Sequence, residues 1–65
     1  MKTIRGKLVS IKKFDGYGSL VLEVGSHKSS FKALSSDLDE LKNYIGKMIE
    51  ITVLESNLLL HWKII

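Results

Sequence analysis

Ser36-Asp-Leu-Asp-Glu-Leu-Lys-Asn-Tyr-Ile-Gly46 is the stretch on which the fold turns. Ser36 has the side chain of an N-cap, and Asp37, Asp39 and Glu40 place negative charge at the positive end of a helix. Leu38, Leu41 and Ile45 recur at helical spacing, and Gly46 ends the run. A helix of about two to three turns does not persist alone in water, so its apolar stripe has to be buried against something else. The flanking segments supply that surface, because they alternate as strands do.

Three strand-like segments precede the helix. In residues 2–14, Ile4, Gly6 and Leu8 share one phase while Val9 and Ile11 share the other. The slip at Leu8-Val9 predicts a bulge or strong bend, and Gly6 lets the strand curl. Asp15-Gly16 is a hairpin turn signal, since glycine supplies positive φ and aspartate tolerates it. Tyr17 to Val24 follows, with Leu20, Leu22 and Val24 on the core face and Tyr17, Ser19, Val21 and Glu23 on the other. Gly25-Ser26 leads into His27 to Leu34, where Phe31 and Ala33 point in and Lys28, Ser30 and Lys32 point out. Beyond the helix, Ile49, Ile51 and Val53 form one inward set and Leu58, Leu60, Trp62 and Ile64 another, joined by a turn at Glu55-Ser56-Asn57.

Sixty-five residues allow one domain, 1–65, and a domain of that size buries only about 60% of its unfolded surface. Without cysteine there is neither a disulfide nor a thiolate metal ligand, and His27 and His61 alone do not make a zinc site, so no metal or other cofactor is expected. No segment approaches the roughly 20 apolar residues of a membrane span. The expectation is a cytoplasmic protein with no membrane partner. The net charge of +3 is unevenly placed: residues 1–34 hold seven basic residues against two acidic, and residues 35–65 three against five. One side of the molecule is therefore expected to attract anions.

Three strands, a helix and two strands in this order resemble the OB-fold. The chain is thus expected to be mostly β, a five-stranded OB-fold-like Greek-key barrel with one short helix between strands 3 and 4. An SH3-like barrel packs five strands into the same length, but its helical turn falls before the last strand. The local run Gly16-Tyr17-Gly18-Ser19-Leu20 is similar to the first RNA-binding motif of cold-shock domains, in which two aromatic rings stand at adjacent outward positions. Here Ser19 takes the place of the second ring, and Ser29-Ser30-Phe31-Lys32 replaces the aromatic and histidine-bearing motif of the third strand. The likeness implies an OB-type barrel with reduced stacking capacity.

The OB resemblance places a ligand surface on the outer face of strands 2 and 3 and the adjoining loops. Its candidate nucleic-acid contacts are Lys12, Lys13, Phe14, Tyr17, Ser19, Lys28, Ser30 and Lys32. Lysines track phosphates, Tyr17 stacks a base, and Ser19 and Ser30 donate hydrogen bonds, a combination suited to single-stranded DNA or RNA with little sequence preference. A second possibility is a protein-interaction module, a homodimer or a subunit of a larger assembly, which would use the apolar outward positions Val21, Met48, Leu54, Leu59 and Ile65. Catalysis is not expected. The acidic cluster serves the helix dipole, neither histidine has an evident partner, and Gly16 and Gly18 belong to a hairpin rather than a phosphate loop.

Overall fold

In the computed structural model, which describes residues 1–65, five strands and one short helix follow the expected order. They are β1 (Lys2–Lys13), β2 (Tyr17–Val24), β3 (His27–Leu34), α1 (Ser35–Leu41) continued by a 3-10 turn (Lys42–Tyr44), β4 (Met48–Val53) and β5 (Leu59–Ile64). The phase slip in the first segment is a bulge: Leu8 pairs with Leu22 and Ser10 with Val21, leaving Val9 as the extra residue. All strand pairs are antiparallel, and the sheet order is β3-β2-β1-β4-β5.

β1 is long because it serves two neighbours. Its first half, Lys2 to Lys7, pairs with β4, and its second half, Lys7 to Lys13, pairs with β2. Gly6 stands at the change of partner. A Cβ there would lie 2.8 Å from the carbonyl oxygen of Glu23 and 2.9 Å from Cγ2 of Val24, so the crossing needs a residue without a side chain. The outer strands β3 and β5 meet at a single parallel bridge, Lys32 with Leu58, where the Lys32 N–H donates to the Asn57 carbonyl at 2.9 Å. No ladder joins β3 to β5, and the sheet does not close into a barrel.

The core is Leu8, Leu20, Leu22, Phe31, Ala33, Leu38, Leu41, Ile49, Ile51, Val53 and Leu59, with Ile4, Ile11, Tyr44 and Trp62 packed against it. β2 through β4 thus bury the expected sets, except that Val24, opposite His27 at the end of its strand, is exposed. The last strand departs from simple alternation. Val53 pairs with Leu59 and Thr52 with His61, which makes Leu60 an extra residue and turns both Leu59 and Trp62 inward. Leu60 and Ile64, expected inside, are exposed for that reason and because Ile64 lies at the sheet margin.

The helix begins two residues earlier than its sequence suggests. Leu34 is the N-cap, at φ −71° and ψ 150°, and no side chain caps the first turn. Leu34 is held extended by its pairing with Tyr17, and the Ser35 N–H finds the Gly16 carbonyl at 3.3 Å, so one of the free donors of the first turn is answered by backbone. Ser36 consequently lies inside the first turn rather than capping it. Leu38 and Leu41 are buried, whereas Ile45 follows the 3-10 turn in extended backbone and is exposed. Close approach of α1 to the sheet depends on Gly18, because a Cβ there would meet the Lys12 carbonyl and lie 2.6 Å from Leu38 Cδ1. No helix is long and apolar enough to cross a membrane.

Candidate nucleic-acid interface

The outward residues of β2 are Tyr17, Ser19, Val21 and Glu23, and the register sets each in a row across the sheet. Ser19 lies between Lys12 and Lys32, Val21 between Ser10 and Ser30, and Glu23 between Lys7 and Lys28. Adjacent strands are about 4.8 Å apart, so the β1 and β3 backbones that carry the lysines run about 10 Å apart on either side of β2. Lys7, Lys12, Lys28 and Lys32 form no ion pair. Their separation is comparable to the Debye length of about 8 Å at physiological salt, so they act on an approaching anion partly together. Lys32 is further fixed through its backbone by the β4–β5 turn at Asn57.

At the hairpin end of this strip the turn itself brings two rings together. The Phe14 N–H donates to the Tyr17 carbonyl at 2.7 Å, making these residues the two ends of one turn. Their ring centroids are 5.4 Å apart and tilted by 37°, within the range of favourable aromatic pairs. Tyr17 also faces Leu34 on β3. Phe14, Tyr17 and Leu34 are 55%, 51% and 57% exposed, so this apolar group has no protein cover. The other aromatic pair, Tyr44 and Trp62 at 5.8 Å, packs on the core and is structural.

Lys13 does not belong to the strip. The Val9 bulge reverses the phase of β1, so Ile11 and Lys13 share the helix side of the sheet, opposite Leu20 and Gly18. There the Lys13 Nζ donates to Asp39 on α1, and that hydrogen bond holds the Asp39 carboxyl below its ordinary pKa, with the charges of Lys13 and Lys42 adding to the effect. The remaining sequence candidates, Lys12, Phe14, Tyr17, Ser19, Lys28, Ser30 and Lys32, all lie on the outer face or its rim. Lys7, Ser10, Glu23 and Leu34 join them. Leu34 was accessible to sequence reasoning as the next outward position after Lys28, Ser30 and Lys32; Lys7 and Ser10 were hidden by the phase change.

The candidate protein interface is less coherent. Leu59, expected to point outward, is only 4% exposed, because the Leu60 bulge turns it into the core beside Val53. Val21 is half-buried in the middle of the lysine strip, and Leu54 lies at the opposite end of β4 from Met48. Met48 and Ile65 do come together, the Ile65 N–H donating to the Met48 carbonyl at 3.3 Å.

On the other half of the sheet the outward charges answer one another. Glu50 accepts from Arg5 Nε at 2.8 Å and lies 3.3 Å from Lys63 Nζ. These two hydrogen bonds, Arg5 first, hold the Glu50 carboxyl below its ordinary pKa. No three His, Asp or Glu side chains gather as metal ligands.

No family model, curated protein or solved structure matches this chain. Its chemistry therefore has to be read from the face itself.

Proposed function

We propose that this chain is an incompletely closed OB-type barrel that holds single-stranded DNA or RNA on the outer face of β1, β2 and β3, with little sequence preference. The observation that carries this is the Lys12–Ser19–Lys32 row, free of carboxylate partners, lying beside the exposed Phe14–Tyr17 pair. The parallel bridge between Lys32 and Leu58 supports the OB part of the reading, since it brings the outer strands β3 and β5 toward closure, and the helix after β3 keeps the OB element order. Lys12 and Lys32 contact phosphates, with Lys28 at the far end of the strip opposite Glu23, Tyr17 and Phe14 offer rings to unstacked bases, and Ser19 and Ser30 supply hydroxyls along the strip. Few of these groups can read base edges, so affinity comes from charge and stacking.

Fluorescence anisotropy with labelled single-stranded DNA, single-stranded RNA and duplex DNA, at two salt concentrations, tests the proposal. Binding that favours a single strand and weakens with salt is the expected result. Tyr17→Ala should weaken it at every salt concentration by about 1 to 3 kcal/mol, the worth of one stacked base. Equal binding by Tyr17→Ala and wild type, or no binding at low salt, overturns the assignment.

A further inference from the structure

The three rows across β2 are not equivalent, and the difference sets a length. Moving from the hairpin along the outer face, the strip presents Phe14, Tyr17 and Leu34, then Lys12, Ser19 and Lys32, then Ser10, Val21 and Ser30. Each of these levels is neutral or positive. The next level is Lys7, Glu23 and Lys28, where a carboxylate stands in the middle of the path. Directly opposed cross-strand residues have Cβ atoms only about 5 Å apart. Glu23 thus faces both lysines closely while closing an ion pair with neither.

A phosphate following β2 meets two ammonium groups with no competing anion at Ser19. At Glu23 it meets the same two charges together with a carboxylate that repels it and partly cancels them. The anion-binding part of the strip therefore ends after Val21. From Tyr17 to Val21 the strand advances about 13 Å, at about 3.3 Å per residue. That is a short platform, at the lower end of the roughly 4 to 16 nucleotides covered by OB-type surfaces.

We infer, resting on the function proposed above, that Glu23 is the stop of the binding tract: it limits this face to a single-stranded segment of about four nucleotides. Glu23 acts by charge, as a specificity residue for ligand length. Removing its charge releases Lys7 and Lys28 to continue the two lysine lines already begun by Lys12 and Lys32.

The experiment is a length series of labelled oligothymidylates and oligouridylates, from about three to about twelve nucleotides, titrated into wild type, Glu23→Gln and Glu40→Gln. Glu40 lies on α1 and is exposed, so its variant makes the same change in net charge away from the strip. For wild type, intrinsic affinity corrected for the number of overlapping sites should stop rising at about four nucleotides. For Glu23→Gln it should keep rising to about eight. With the longer oligomers the slope of log K against log salt should steepen by about 1.4, the value for two further phosphate contacts on a single strand. Glu40→Gln should behave as wild type. A wild-type affinity that goes on rising with length, or an identical response of the two variants, overturns the stop while leaving nucleic-acid binding intact. Absence of binding by every form overturns both.

Discussion

Glu50 and Glu23 occupy matching places on the two halves of the sheet, each set between two basic residues on neighbouring strands. Glu50 ties Arg5 and Lys63 into ion pairs, whereas Glu23 leaves Lys7 and Lys28 free. Arginine accounts for part of the contrast, because its rigid fork of donors matches a carboxylate better than a flexible ammonium does. The position of Glu23 accounts for more. Lys7 and Glu23 form the last pair before β1 leaves β2, at the close crossing over Gly6, and Lys7 is opposed on its other side by the apolar Met48. The same basic-acidic-basic pattern therefore yields a closed charge triad on β1, β4 and β5 and an open one on β1, β2 and β3. The number of surface charges does not separate the two halves; whether the central carboxylate closes on its neighbours does.

The contrast breaks first if the closed half is an interface rather than scaffold. Leu59 lies beneath that half, and Leu59→Ala should lower stability by about 2 to 5 kcal/mol, measured by urea denaturation, as buried leucine truncations do. Its mass by light scattering should not change. A variant of full stability with an altered mass would return Leu59 to a docking role. The comparison is sharpened by salt dependence. Lys12→Ala and Lys32→Ala should each reduce the slope of nucleic-acid binding by about 0.7, the value for one phosphate contact on a single strand. Arg5→Ala and Lys63→Ala should leave it unchanged, and equal slopes for all four would erase the distinction between the halves.

The smallest effect is on pH dependence. The Glu50 pKa is lowered in the folded protein by its Arg5 and Lys63 hydrogen bonds. Its stabilisation is therefore present above the unfolded-state pKa and lost as pH falls through the lower folded-state value. Thermal melts from about pH 7 down to about pH 2 should show Glu50→Gln losing less stability than wild type across the carboxylate range. The difference will be small because exposed pairs are screened by solvent. Parallel curves would mean that the closed triad adds nothing to the fold.

Much of this was legible in the sequence because alternation survives in β2, β3 and β4. Leu20, Leu22, Phe31, Ala33, Ile49, Ile51 and Val53 announce their faces by spacing alone, and they are buried. The errors gather where a strand gains one residue. Val9 was visible as a phase change, but its effect on Lys13 requires the register with β2; Leu60 is one leucine among three, so nothing in Leu58-Leu59-Leu60 marks which is extra. The helix start was misplaced because its first donor is answered by the Gly16 carbonyl, a tertiary contact with no local signature. The lysines of the candidate face could be named from composition and phase. Their freedom from acidic partners, and the place of Glu23 among them, became visible only with three strands in register.

The division of β1 between two partners also separates folding into near and far steps. β1, β2 and β3 join through two consecutive hairpins, so the strands bearing the lysines can find one another within residues 2–34. The first half of β1 pairs with β4 across sequence separations such as 45 for Arg5 with Glu50 and 49 for Thr3 with Thr52. Loop-closure entropy falls chiefly on that second ladder. A chain leaving the ribosome has made every residue of its outward lysine strip by Leu34, while the amino-terminal half of β1 still waits for a partner strand not yet synthesised.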